Sequence, residues 1–136
     1  MQDDIVLSIA GFDPCAGAGV LSDIKVFDYL KLKALAVVSA LTYQNDHSFQ
    51  GVKWCDLEEI ELQIKPLSKY KVKVVKVGLV RDFVHLEGVL FLIKKYFPSA
   101  YIIWDPILKA SAGFSFHEDL EISSSSSIAQ FVNLVT

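Results

Sequence analysis

The sequence predicts an α/β protein in which a mostly parallel sheet lies between two layers of helices. Short apolar runs alternate with segments of helical spacing, in the order strand, helix, strand, helix, strand, helix, strand. Residues 5–9 are mostly apolar, as in a strand buried in a parallel sheet, and residues 72–77 are strongly β-branched, as in a core strand. Strands connected through helices lie parallel, with right-handed crossovers. The 136 residues fit a single domain.

The first unit of the chain, residues 9–44, contains a glycine-rich turn between a strand and a helix. Its predicted elements are a strand at 5–9, a helix at 20–30 and a second strand at 34–41. Gly11, Gly17 and Gly19 interrupt the apolar pattern between the first strand and the helix. In open α/β sheets such turns lie at the carboxyl ends of the strands, where ligands bind.

The remaining elements follow from apolar spacing and from helix start and stop signals. Asp56 and Glu59 have the spacing of a capping box, Pro66 ends or bends the helix that follows, and Pro98 stops the next one. In chain order these elements are a polar loop at 42–51, a possible short strand at 52–54, a helix at 57–67, a strand at 72–77, a helix at 84–97, and strands at 101–104 and 131–136.

Composition excludes several classes of function. With 52% hydrophobic residues, 21% charged residues and a net charge of −3, the chain suits a globular protein and not a nucleic-acid-binding one. Cys15 and Cys55 form no metal-ligand pattern, so a zinc site is not expected and a reducing cytoplasm fits best. No apolar run reaches the ~18 residues of a membrane span, and the acidic N-terminal residues do not resemble a signal peptide.

The glycine-rich turn is a candidate ligand site. Glycines allow close approach of the backbone and leave N–H groups free, so an anion or a polar ring is a plausible ligand. The third glycine of the dinucleotide fingerprint is missing, and no Gly-Lys-Ser/Thr follows, so two common nucleotide motifs are excluded. The alternative is a tight strand-to-helix connection without a ligand.

The residues themselves resemble a known family. AGFDPCAGAGVLSDIKVF at 10–27 and SALTYQN at 39–45 are similar to the AGSDPSGGAGIQADLKTF and ALTAQN of the hydroxymethylpyrimidine and phosphomethylpyrimidine kinases of thiamin biosynthesis. VKVGL at 75–79 and WDPIL at 104–108 correspond to the family's VKIGM and LDPVM. The resemblance implies a ribokinase-like fold, of which residues 1–136 would be the N-terminal part of one kinase domain.

This resemblance implies an activity and its partners. The expected reaction is ATP-dependent phosphorylation of the hydroxymethyl group of 4-amino-5-hydroxymethyl-2-methylpyrimidine, and of its monophosphate, with Mg²⁺. The expected partners are the pyrimidine and ATP, with no nucleic acid and no membrane, and the full-length form is expected to be a cytoplasmic homodimer. A pyridoxal-type vitamin kinase and a non-catalytic pyrimidine-binding module are the alternatives, beside a generic nucleotide-binding domain.

The resemblance also assigns site residues. Gln44 would read the aminopyrimidine edge, because an amide both donates and accepts; an exposed loop glutamine is the alternative. Asp23 would face the substrate, unless it serves only as an anion near a helix N-terminus. Asp105 would help to hold Mg²⁺ through water, unless it caps a turn. The turn over the substrate and one apolar wall would come from Gly11, Asp13, Gly17, Ala18 and Gly19, and from Leu79.

The resemblance further predicts that the chain alone is inactive. The family's catalytic base and anion hole lie beyond the point that matches Thr136, so no catalytic residue is expected here. Ser111 falls where the family has lysine, and Lys109 is a possible substitute two residues earlier. A complete small α/β domain is the alternative, although its apolar final strand would need both faces covered.

Overall fold

The computed structural model describes residues 4–107 and 128–136, and these form a six-stranded sheet with helices on both faces. The strands are β1 (Ile5–Phe12), β2 (Lys33–Gln44), β3 (Phe49–Trp54), β4 (Val72–Val77), β5 (Tyr101–Trp104) and β6 (Leu134–Val135). The α-helices are α1 (Gly19–Tyr29), α2 (Leu57–Ile64) and α3 (Phe83–Tyr96), with 3₁₀ turns at Lys65–Leu67 and Ile128–Gln130. The strand order is β3-β2-β1-β4-β5-β6, and every neighbouring pair is parallel except β2 and β3.

The two faces of the sheet carry different helices because side chains alternate along each strand. Leu7 and Ile9 of β1 are fully buried in one cluster with residues of α2 and α3. Ser8, between them, points to the opposite face and contacts α1. The predicted three-layer α/β/α arrangement is therefore confirmed. None of the helices in the described segments has the length and apolar character needed to cross a bilayer.

Helices α2 and α3 begin at aspartate caps and pack against each other. Asp56 accepts a hydrogen bond from the Glu59 N–H at 2.8 Å, and the Glu59 carboxylate accepts one from the Asp56 N–H at 2.9 Å. This is the predicted capping box. Asp82 caps α3 through the His85 N–H at 2.8 Å. A Cβ atom added to Gly88 of α3 would lie 2.3 Å from Leu57 Cδ1, so the Leu57 side chain would have to move to make room for it.

The predicted polar loop at 42–51 is wrong, because most of it is a β-hairpin. Strand β2 continues to Gln44, and β3 begins at Phe49 and pairs with it antiparallel. The turn is closed by Asn45, whose side-chain oxygen accepts the N–H groups of His47 and Ser48 at 2.8 and 2.7 Å. The polar residues in this segment belong to a solvent-facing strand pair, which hydrophobic pattern alone does not reveal.

The C-terminal part agrees only in part with the predicted elements. The predicted strand at 131–136 is reduced to Leu134–Val135, because residues 131–133 form a turn. Asn133 fixes this turn by accepting the Ile102 N–H at 2.8 Å and donating its own N–H to the Ile102 carbonyl at 2.9 Å. The expectations for Lys109 and Ser111 fall outside the described residues.

Strand β2 extends beyond the part that pairs with β3, and the Gln63 side chain forms hydrogen bonds with the β2 backbone there. The Gln63 side chain of α2 accepts the Val38 N–H at 2.8 Å and donates to the Val38 carbonyl at 2.8 Å. One side-chain amide thus makes the pair of hydrogen bonds that a neighbouring strand would have made.

Candidate functional site

The carboxyl ends of β1, β2 and β4 are held together at one edge of the sheet by polar side chains. Thr42 of β2 donates from its hydroxyl to the Phe12 carbonyl of β1 at 2.8 Å. Ser39 of β2, fully buried, donates to the Leu79 carbonyl just after β4. The Gly78 N–H donates to the Ile9 carbonyl at 2.8 Å. These bonds fix the three strand ends as one rigid rim.

Asp13 folds the loop that follows β1. Its carboxylate accepts the N–H groups of Cys15 at 3.0 Å and Gly17 at 3.1 Å, and its carbonyl accepts the Ala16 N–H at 2.9 Å. Asp13 is itself buried, and Ala16 adopts a left-handed conformation with φ of 57°. Asp13 therefore stabilises this loop by accepting hydrogen bonds from its backbone N–H groups, as an aspartate does in an Asx turn.

Gly11 and Gly19 are needed because the loop, β1 and Leu79 meet at van der Waals distance. Gly19 has φ of +67°, and a Cβ atom there would lie 2.0 Å from the Gly11 carbonyl oxygen. A Cβ atom on Gly11 would lie 2.9 Å from Leu79 Cδ2. Leu79 is buried, as an apolar wall at this rim requires. Ala18 is the N-cap of α1 and provides no side-chain cap, so the first N–H groups of this helix are not used by a capping side chain.

Gln44 ends β2 beside this loop. Its Nε2 donates to the Thr42 hydroxyl at 2.8 Å, and that hydroxyl is bonded to the Phe12 carbonyl. Gln44 is half-buried, and among the described residues its Oε1 has no hydrogen-bond partner. The hydrogen bond from Nε2 thus orients the amide, and Oε1 remains available as an acceptor.

Asp23 and Asp105 belong to a second cluster, on the face of the sheet that carries α1. The two oxygens of Asp23 accept the Ser8 hydroxyl and the Lys76 ammonium, both at 2.6 Å. Asp105 accepts the Thr136 hydroxyl at 2.8 Å, and its other oxygen lies 3.6 Å from Lys76 Nζ. Lys76, Asp105 and Thr136 line a groove of about 500 Å³ whose other lining residues are apolar.

The contacts in this second cluster bear on the predicted roles of Asp23 and Asp105. Asp23 lies in the second turn of α1, and its hydrogen-bond partners are Lys76 and Ser8. The positive end of the helix dipole therefore does not explain its position. Asp105 stands at the carboxyl edge with 37% of its side chain exposed. The described residues contain no group of three metal-ligating side chains. Asp105 could offer one carboxylate to Mg²⁺ that keeps most of its water ligands, and this role stays a prediction.

His85 is a buried histidine that the sequence did not single out. Its Nδ1 accepts the Arg81 N–H at 3.1 Å, so its Nε2 carries the proton and donates to the Cys55 carbonyl at 2.9 Å. Burial lowers the pKa of this imidazole below its ordinary value, because a charged ring would be poorly solvated there. His85 links the loop after β4 to the start of α2 and is a structural element of the rim.

Sequence reasoning missed the polar side chains that organise both clusters: Ser8, Ser39, Thr42, Lys76 and His85. Ser8 and Lys76 each interrupt an otherwise apolar strand, and that interruption is the signal that could have indicated them. A polar residue in a buried strand needs a partner, and each of these two has one.

Comparison with known proteins agrees with this fold. The curated hydroxymethylpyrimidine/phosphomethylpyrimidine kinase of Aquifex aeolicus is 30% identical over 110 residues, which are 80% of this chain and 43% of that protein. The crystal structure of phosphomethylpyrimidine kinase from Clostridium difficile 630 matches with a TM-score of 0.79 at 23% identity, over 98% of this chain and 58% of that one. Pyridoxal kinase of Bacillus subtilis matches with a TM-score of 0.76 at 18% identity, over 98% and 51%.

The strand order and the structural match define a ribokinase-like fold, of which this chain spans part. The sequence model of the phosphomethylpyrimidine kinase family matches residues 13–136. The chain belongs to the phosphomethylpyrimidine kinase family. It spans about two fifths of the length of the Aquifex aeolicus relative.

Proposed function

We propose that this chain supplies the pyrimidine-binding part of a kinase that phosphorylates 4-amino-5-hydroxymethyl-2-methylpyrimidine and its monophosphate. The observation that carries the proposal is the Gln44 amide, which is oriented by Thr42 and keeps a free acceptor beside the Asp13 loop. An acceptor and a donor at one position match the amino group and ring nitrogen of an aminopyrimidine.

The remaining contacts of the proposed pocket follow from the rim. Leu79 provides an apolar wall, and Gly11 and Gly19 bring backbone close to the ligand without side chains in between. Gly17 and Ala18 belong to the loop that Asp13 holds over the pocket, next to the first N–H groups of α1. These elements bind and orient the ring, so that its hydroxymethyl group is held in one position for transfer.

The phosphate donor in this proposal is ATP with Mg²⁺. Bound Mg²⁺ would neutralise charge on the transferring phosphoryl group, and Asp105 is the described residue whose exposed carboxylate could hold it through water. The groups of this chain otherwise act on the acceptor side: they bind, orient and shield the pyrimidine. The family-length protein is proposed to be a cytoplasmic homodimer, and sedimentation velocity measurements on it test the dimer.

Calorimetric titration of the 136-residue chain with hydroxymethylpyrimidine, pyridoxal and ATP tests the proposal. We expect the pyrimidine to bind more tightly than the other two compounds. Tighter binding of pyridoxal would move the chain to the pyridoxal-type vitamin kinases, and tighter binding of ATP would assign the rim to a nucleotide. Binding of none of the three would refute the proposed pocket.

A further inference from the structure

Lys76 is placed between two carboxylates on the α1 face of the sheet. Its ammonium lies 2.6 Å from Asp23 Oδ1 and 3.6 Å from Asp105 Oδ2. Ser8 donates to the second oxygen of Asp23 at 2.6 Å. Only 13% of the Asp23 side chain and 24% of the Lys76 side chain are exposed. The pair is therefore largely shielded from solvent. An ion pair in such surroundings is screened less than one on the protein surface.

The Asp23 carboxylate has no oxygen left that is not already bonded to the sheet. Each oxygen could accept a second hydrogen bond, but with only 13% of the side chain exposed a ligand atom has little access to it beside Ser8 and Lys76. Displacing Lys76 would leave a partly buried ammonium without its closest counter-ion, which is unfavourable. Direct contact with the ligand is therefore a poor explanation of Asp23.

The pair connects the two elements that meet at the rim. Asp23 lies four residues after Gly19, whose backbone contacts Gly11. Lys76 lies three residues before Leu79, which packs on Gly11 from the other side. A bond between Asp23 and Lys76 thus fixes α1 against β4 and holds closed the contact among Gly19, Gly11 and Leu79.

We infer that Asp23 and Lys76 form a positioning pair, through which Asp23 acts on the pyrimidine pocket without touching the ligand. The expected effect of this pair on ligand affinity rests on the proposed function. Its expected effect on the structure of the rim does not. Residue Asp105 takes part as the second, more distant partner of Lys76.

A double-mutant cycle in ligand affinity tests the inference. Asp23→Asn, Lys76→Met and the double variant are titrated with hydroxymethylpyrimidine at a temperature where all three are folded. We expect each single variant to weaken binding roughly tenfold, and the double variant to be no weaker than either, as for coupled neighbours. Lys73→Met is the matched control, because it removes an exposed ion pair with Asp4 from the same strand; its affinity should equal that of the unmodified chain.

Two results of this cycle would overturn the inference. An equal loss from Asp23→Asn with and without Lys76 would mean that Asp23 contacts the ligand. Lower melting temperatures with unchanged affinity of the folded variants would mean that the pair serves stability alone.

Amide hydrogen exchange on the free chain decides the positioning role without a ligand. Gly19 forms an isolated β-bridge with Phe12, and the Gly78 N–H is bonded to the Ile9 carbonyl. We expect severalfold faster exchange at both glycines in Asp23→Asn and Lys76→Met, and no change in Lys73→Met. If the unmodified chain fails to bind the pyrimidine, the proposed function fails and this exchange result still stands. Unchanged exchange in both variants would refute the positioning pair.

Discussion

At the scale of single residues, Gln44 is the side chain on which we expect recognition of the proposed ligand to depend most. Replacing it by leucine removes the free acceptor and the bond to Thr42, while the rest of the rim stays bonded. We expect Gln44→Leu to weaken pyrimidine binding by about 1–3 kcal/mol, measured by calorimetry. Its effect on the free energy of unfolding should stay below about 1 kcal/mol, because Gln44 is half-exposed.

Gln50→Leu is the matched control for this prediction. Gln50 is exposed on β3 of the same hairpin, so the chemical change is identical and the location is nearly so. Affinity should be unchanged in the control. Equal affinities for Gln44→Leu and the unmodified chain would remove Gln44 from the pocket.

His85 predicts a pH dependence of stability. Its pKa is lower in the folded chain than in the unfolded chain because burial disfavours the charged ring. Below pH ~6.5 the unfolded chain therefore binds a proton that the folded chain does not, and stability falls as the pH falls, until the folded pKa is reached. The contribution cannot exceed about 1.4 kcal/mol per pH unit.

Urea unfolding between pH 7 and pH 5 measures this contribution. The stability of the unmodified chain should decrease more steeply with falling pH than that of His85→Gln, although the variant is less stable throughout. His47→Gln, at a side chain that is 88% exposed, should keep the steep slope. Parallel slopes for His85→Gln and the unmodified chain would show that His85 is not buried in the neutral form.

At the scale of elements, the Asp13 loop depends on one glycine more than on the others. Gly19→Ala places a Cβ atom against the Gly11 carbonyl in a left-handed conformation, which costs at least about 1–2 kcal/mol. Gly17→Ala, in the same loop, meets only Asp13 Oδ2 at 3.4 Å and should change stability by less than about 0.5 kcal/mol. Urea midpoints of the two variants make the comparison, and similar midpoints would contradict the close crossing of Gly19 over Gly11.

The regular elements were the most predictable part of this molecule. Buried strands such as Val72–Val77 and the capped helix α2 were predicted correctly because apolar spacing and capping chemistry are local signals. The β2–β3 hairpin was missed because the two strands are joined by backbone hydrogen bonds. The polar side chains at the turn do not indicate this pairing.

The candidate site was predictable only where sequence motifs carried it. The motifs indicated Gly11, Asp13 and Gln44 as site residues, whereas the partners of Lys76, which itself lies in the VKVGL motif, were not predicted. The contacts of Lys76 depend on which strands become neighbours: β4 pairs with β1 in parallel, with Ser8 opposite Lys76, and this pairing brings Lys76 to Ser8 and Asp23.

At the scale of the whole molecule, we expect the 136-residue chain alone to show no phosphorylation of hydroxymethylpyrimidine. Phosphoryl transfer requires an acceptor, a γ-phosphate, Mg²⁺, an anion-stabilising backbone and a base held in line. In the proposed function, the rim described above provides groups for the acceptor, and Asp105 is the proposed ligand of Mg²⁺ through water. A coupled ADP-release assay, with the Aquifex aeolicus relative as the positive control, measures the rate. Turnover by the 136-residue chain would place catalytic groups within it.

Gln63 has a consequence for how copies of this chain meet in concentrated solution. Strand β2 is longer than β3, so a stretch of its backbone would be free to pair with a strand of another molecule. The amide of Gln63 already holds both the Val38 N–H and the Val38 carbonyl. A strand approaching this edge therefore finds the donor and acceptor occupied. We expect this single side chain to hinder intermolecular β-sheet pairing at Val38, just beyond the part of β2 that pairs with β3.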